Sequence, residues 1–542
     1  DLHLSIRRQR QMCIRDRLMP GVMDCYAQKG ILREKEVAQA LNAVNKTAIE
    51  DRIRYLADDK LLGRLPGTPG YAMAVEFVIN ELKSMGIKPV GGKDYIQQVP
   101  LRLGRVDTAQ SSLAMTGPSG LMRLRYGKDY TFAPDLIRSE TLTETSLVFA
   151  GYGISAPHLK HNDYTNLDVK GKIVVVQDGT PSDFPASERA HFNLASSKCE
   201  MANLHGAVGV LIIVTGNEAA RLGGLTRTST QGITAYVKPD GKPFSSRTNG
   251  YEGVAVLGYV RGSLFGDMLT DKTPRDLPYQ INAKLSSVHI NSTSENVVGL
   301  IPGTDATLKN EYVVHTAHLD HVGVGVPVRG DSIYNGAHDN ASGTACLLEI
   351  GRLYTKAKVK RSVLIAFVTS EEKGLLGSGY FAENPPVPKQ HLVANINTDM
   401  PTVIAPLLSI EPLGASHSSM MKEVKSAAAF LGLDVMEDHM PEQVRFVRSD
   451  QYSFIRQGVP ALHVKYGLKS KEGVDLRKQI DDWTAAHYHQ PSDEYSPEAF
   501  DFDAAAVYVK LNFLIGWQIA NAAARPQWNP GDFFGETFGM GR

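Results

Sequence analysis

Val313-Val314-His315-Thr316-Ala317-His318-Leu319-Asp320-His321 is an apolar, β-branched run that ends in ionisable side chains. Apolar runs of strand length recur at 296–301, 363–369 and 393–398, with helical stretches at 343–357 and 375–381 between them. Alternating strands and helices of this kind build a parallel sheet. The expectation is therefore an α/β fold, with a central, mostly parallel mixed sheet flanked by helices. Open α/β sheets bind ligands beyond the strand ends, and each chemically suggestive motif falls there.

On a strand, side chains repeat every two residues, so His318 and Asp320 share a face. A carboxylate beside a histidine can fix its tautomer and orient the ring toward a metal. His315 and His321 fall on the opposite face and are not counted. In Asn335-Gly336-Ala337-His338-Asp339-Asn340-Ala341-Ser342-Gly343, Asp339 either caps the following helix or bridges two cations through its two oxygens. Glu371 and Glu372 follow an all-apolar strand. Their side chains diverge, so one can bind metal while the other meets a bound water; the plain alternative is a solvated loop pair. Asp399 ends a strand in Asn397-Thr398-Asp399-Met400, and His489 lies in His487-Tyr488-His489-Gln490-Pro491-Ser492-Asp493-Glu494-Tyr495. Each of these has an ordinary structural reading alone. Together His318, Asp339, Glu372, Asp399 and His489 form an imidazole and carboxylate set suited to zinc, with manganese or cobalt as alternatives. Glu371 is left over for proton transfer.

The motifs HLD, GAHDNASG, EEKGLLGS, NTDM and YHQPSDEY, in that order, resemble the co-catalytic zinc aminopeptidase family that includes bacterial leucyl aminopeptidases and glutamate carboxypeptidase. The resemblance spans nearly all of residues 40–525. It implies the zinc-dependent exopeptidase fold and two zinc ions per chain. His318 and Asp399 would hold one ion and Glu372 and His489 the other, with Asp339 between them. It also implies that Asp320 orients His318, that Glu371 is the general base, and that Tyr488 contacts the tetrahedral oxyanion. Segment 448–454 resembles the family's substrate-side wall, with Gln451 where many relatives carry histidine.

The implied activity is hydrolysis of the N-terminal peptide bond. A carboxypeptidase or dipeptidase could use the same metals, with Arg445, Arg448 and Asp450 deciding the substrate. A glutaminyl cyclase is disfavoured because it would normally keep one metal, and an inactive receptor-like relative because no ligand is missing. A serine hydrolase is disfavoured by the lack of a Gly-x-Ser-x-Gly elbow, and the Gly-rich 323–330 segment lacks phosphate-loop spacing.

Residues 95–290 differ in character. Short β-rich runs alternate with Gly, Asp, Asn and Pro. Phe149-Ala150-Gly151-Tyr152-Gly153, Asp163-Tyr164 and 169–176, with the helix-to-strand unit 202–212, resemble a protease-associated domain that frames the cleft or serves only stability. The expected boundaries are 31–130 for the N-terminal part of the peptidase domain, 131–287 for the insertion and 288–542 for the catalytic part. Residues 1–30 are set apart. Gln11-Met12-Cys13-Ile14-Arg15-Asp16-Arg17 resembles translated adaptor sequence, and Cys25 and Ala27 fit the end of a truncated signal peptide. An exported bacterial protein, periplasmic or extracellular, is the corresponding expectation.

The 542 residues are 42% hydrophobic, with 58 basic and 58 acidic side chains. A zero net charge argues against a nucleic-acid binder that relies on a basic field. No apolar run is long enough for a membrane span, and four cysteines are too few for a disulfide scaffold. Peptides are the expected partners; no oligomeric state follows from the sequence.

Overall fold

The computed structural model describes residues 35–539 except 93, 249, 270, 402, 444, 472 and 473. The expected signal remnant therefore lies outside the described residues. Ser362–Val368 is buried along its whole length, as a strand covered on both faces must be. It pairs in parallel with Tyr312–His318, which pairs in parallel with Leu392–Asn397, which pairs in parallel with Ala461–Tyr466. Ser409–Leu413 joins antiparallel on one side, and Arg275–Ile301 on the other. The central sheet is mixed and mostly parallel where the motifs lie.

Helices Gly343–Tyr354 and Phe502–Asn521 supply much of the core on one face. The latter is apolar almost all round because it is buried among protein. No described helix is long and apolar enough to cross a membrane. At Gly516 this helix comes so close to His315 and the Tyr354 hydroxyl that a β-carbon would clash. His315 Nε2 lies 3.0 Å from that hydroxyl, a core contact remote from the motifs.

Three helices, Lys35–Asn42, Lys46–Leu56 and Pro69–Ser84, open the described chain. The Asn45 side chain caps the second helix. Pro69 and Gly70 form the first turn of the third helix behind the Thr68 cap, where proline costs no hydrogen bond.

A second sheet gathers Ser112–Gly117, Gly120–Arg123, Tyr130–Phe132, Glu140–Phe149, Ile173–Gln177, Gly209–Val214 and Val256–Arg261. It thus draws in strands ahead of residue 131. Arg275–Ile301 ties the two sheets together. Its first part pairs with Glu140–Phe149 and its last residues with Ser362–Val368. The insertion is therefore attached through a continuous hydrogen-bonded strand rather than a loop. Cys199 and Cys346 are both buried thiols.

Candidate metal centre

The parallel register sets three strand ends side by side. His318 is the last residue of its strand and pairs with Val368, while Thr316 pairs with Asn397. The chain beyond each end supplies the next ionisable group: Asp320, then Glu371 and Glu372, then Asp399. His318 Nε2 lies 3.3 Å from Asp339 Oδ1 and 3.3 Å from Asp399 Oδ1. His489 Nε2 lies 3.2 Å from Asp339 Oδ2 and 3.1 Å from Glu372 Oε2. Two groups able to hold a cation result: His318, Asp339 and Asp399, and His321, Asp339, Glu372 and His489. Asp339 belongs to both, one oxygen toward each histidine.

Asp339 does not cap the helix. Asn340 Oδ1 instead accepts from Gly343 N and Met400 N at 3.0 Å each. The Asp339 loop is instead held by Asp493, whose two oxygens accept from His338 N at 2.9 Å and Asp339 N at 3.0 Å. Asp493 stood in a quoted motif without a role; main-chain hydrogen bonding across 154 residues leaves no sequence pattern.

His321 was set aside on strict alternation. Its strand stops at His318, so alternation stops too, and the loop brings His321 Nδ1 to 2.7 Å from Glu372 Oε1. The same break changes Asp320. His318 Nδ1 meets the Asp320 main-chain oxygen at 3.1 Å. The Asp320 carboxylate turns away and accepts from Glu371 N at 3.1 Å and Glu372 N at 3.4 Å. Its side chain therefore positions the two-glutamate loop, rather than the imidazole.

The His321 ring packs against Gly336, which has φ 60°. A β-carbon there would lie 2.6 Å from the ring and closer still to Asp339 O. Gly336→Ala should therefore destabilise the fold by about 1–3 kcal/mol through strain and overpacking, and loosen metal binding. Urea unfolding and zinc titration of the variant would check this; an unchanged protein would refute the packing argument.

Arg64 has no motif to mark it. It is buried, and its guanidinium donates to Leu319 O at 3.0 Å, Leu56 O at 2.5 Å, Asn335 O at 2.6 Å and Gly336 O at 3.0 Å. One side chain from the N-terminal segment thus clamps the two loops that carry His318–His321 and Gly336–Asp339. Burial pulls its pKa down to about 10, against the attraction of Asp493, Asp320, Asp339 and Glu372.

Glu371 belongs to neither ligand group. Burial holds its carboxyl well above the ordinary range; His318 opposes, and Glu372, Asp399 and Asp450 reinforce. Tyr488 stacks on His489 with ring centroids 4.0 Å apart. Ser449 donates to Asp399 Oδ2 at 2.6 Å. Parts of the expected substrate wall are buried. Gln451 is fully buried, accepting from Asn397 Nδ2 at 3.2 Å and donating to Phe446 O at 2.8 Å. Asp450 is also fully buried, its carboxyl pushed up to about 7 mainly by that burial. Arg445 is engaged by Glu411, at 2.6 Å, and by Asp438. The insertion reaches the centre as well: Arg247 donates to Glu372 O at 3.4 Å.

Imidazoles and carboxylates at the ends of a mostly parallel sheet, joined by one shared carboxylate, define a metal-binding α/β protein. Residues 296–509 match the model of peptidase family M28, and residues 143–240 match the PA domain. The later part of the chain is thus similar to M28 peptidases, and a stretch ahead of it is similar to PA domains. The chain is 27% identical over 368 residues to an aminopeptidase of Pseudomonas aeruginosa, covering 67% of this chain and 58% of that protein. It is 25% identical to leucine aminopeptidase 2 of Trichophyton equinum, covering 76% and 71%. The chain thus spans less than two thirds of the Pseudomonas protein. The structure of an aminopeptidase from Aneurinibacillus sp. strain AM-1 shares the fold, with a TM-score of 0.50 at 17% identity, covering 92% of this chain and 99% of that one.

Proposed function

We propose that this protein is a metallo-aminopeptidase that uses two zinc ions and Glu371 to hydrolyse the peptide bond after the N-terminal residue. The observation that carries the reading is the split of Asp339: Oδ1 stands 3.3 Å from His318 and Oδ2 3.2 Å from His489. One carboxylate can then serve two cations. The donor set, imidazole nitrogens with carboxylate oxygens, fits zinc. His318, Asp339 and Asp399 would hold one ion; Asp339, Glu372 and His489 the other, with His321 beside them.

When bound, the ions supply Lewis-acid activation of water and of the scissile carbonyl. The chain's own residues do the rest. Glu371 takes a proton from the attacking water and returns it to the leaving amine. Asp320 holds the Glu371 and Glu372 main chain in place, and Ser449 and Asp493 fix Asp399 and the Asp339 loop. Tyr488, which stacks on His489, would donate to the developing oxyanion. Arg247, in the expected insertion, donates to the Glu372 main chain, which supports a part for the insertion in substrate access.

Purified protein should contain two zinc ions per chain. Removing them with 1,10-phenanthroline should abolish release of the N-terminal residue from free peptides, and zinc should restore it. N-acetylated peptides should resist. Full activity after chelation, or equal cleavage of blocked peptides, would overturn the reading.

A further inference from the structure

A cavity of about 300 Å³ opens off the ligand cluster on the Asp399 side. Met400, Met440 and Ile480 give it apolar walls, and Tyr488, which stacks on His489, lines it as well. Its charge is uneven. Lys465 donates to the main-chain oxygens of Asp399 at 3.0 Å and Met400 at 3.3 Å, and has no carboxylate partner among the described residues. An ammonium carries three donors, so one remains for the cavity. Arg448 lines the same cavity, is exposed, and makes no ion pair among the described residues. The third cation, Arg445, is engaged by Glu411 and Asp438. Of the acids, Asp481 is paired with Arg477 at 2.7 Å, and Asp399 faces His318 and Ser449. Among the described residues lining the cavity, Lys465 and Arg448 are cations that make no ion pair, although Asp399 attracts Lys465.

We propose that this cavity receives the side chain of the substrate's N-terminal residue and selects an acidic one, aspartate or glutamate, through Lys465 and Arg448. Apolar walls suit the methylene stem, and the two cations suit the carboxylate, whose charge-assisted hydrogen bonds are the strong kind. Asp399 attracts Lys465 but forms no ion pair with it, so the ammonium can still donate to an incoming carboxylate. The choice of the N-terminal residue as occupant rests on the aminopeptidase reading.

The test compares kcat/KM of the zinc-loaded enzyme on glutamyl, aspartyl, leucyl and lysyl 7-amido-4-methylcoumarin. Acidic substrates should exceed leucyl by about tenfold or more, with lysyl the poorest. Lys465→Met and Arg448→Leu should each shrink the glutamyl-to-leucyl ratio by about tenfold, with urea unfolding used to confirm that each variant is folded. A wild-type preference for leucyl or lysyl substrates, or a ratio unmoved in both variants, would overturn the proposal. Calorimetric binding of free L-glutamate and L-leucine to the zinc-loaded protein reads the cavity without turnover. Tighter glutamate that is lost in both variants, with no free-amine substrate cleaved, would uphold the cavity and remove only the aminopeptidase reading. Tighter leucine would remove the cavity proposal and leave that reading intact.

Discussion

Glu371→Gln should lower kcat by about 10²–10⁴-fold while zinc content stays at the wild-type level. The amide keeps the shape of the carboxylate and loses the ability to take a proton. Glu371 lies outside both ligand groups, so the ions keep their donors. Its main-chain N–H still reaches Asp320 Oδ1 at 3.1 Å, so the loop should hold its path. Burial disfavours the charged form of Glu371, and the surrounding carboxylates add to this, so the group is a stronger base than an exposed glutamate. Glu372→Gln makes the contrast. It weakens a member of the four-residue group and should lower zinc affinity together with activity. Metal analysis beside steady-state kinetics separates the two. A Glu371→Gln enzyme that turns over normally, or that loses its zinc, would remove Glu371 from the role of base.

Arg64→Met should cost about 3–5 kcal/mol of stability, the range for breaking a buried charged network. Methionine nearly fills the stem volume but leaves four carbonyl oxygens, on Leu56, Leu319, Asn335 and Gly336, without their donor. Each buried acceptor left unpaired is worth about 1–3 kcal/mol. The charge matters as well, because Asp493, Asp320, Asp339 and Glu372 all attract the Arg64 guanidinium. Arg64→Lys keeps the charge but lacks the planar fork, so it should fall between wild type and Arg64→Met. Urea unfolding with zinc present and after chelation would show both effects. The variant should unfold earlier in each condition and gain less from zinc. Unfolding at the wild-type urea concentration, with wild-type zinc affinity, would show that the clamp contributes nothing.

These two residues mark how far the sequence could be read. Glu371 was visible because two adjacent carboxylates directly after an all-apolar strand break a local pattern. His318, Asp339, Glu372, Asp399 and His489 were visible only as a set and through the family motifs, and the fold brings them into two groups that share Asp339. Their roles still await the metal and kinetic measurements above. His321 was misread because the two-residue period was carried past the end of its strand. Asp320 was assigned to the imidazole by the same extrapolation, and its carboxylate serves the Glu371–Glu372 main chain instead. Gln451 and Asp450 read as wall residues from motif position alone; both are fully buried, with Gln451 bonded to Asn397 and Phe446.

Strand-and-helix alternation, the all-apolar central strands and the placement of acids and histidines at strand ends are local properties. Periodicity over a handful of residues carries them, and they survive reading one letter at a time. Arg64 bonding to carbonyls up to 272 residues away, Asp493 holding the Asp339 loop, and Lys465 lining a cavity with no ion pair among the described residues belong to the folded chain. Those contacts depend on the paths that loops take once strands have ended. Past that point neither the two-residue nor the 3.6-residue period constrains where a side chain goes, and long-range packing sets the outcome.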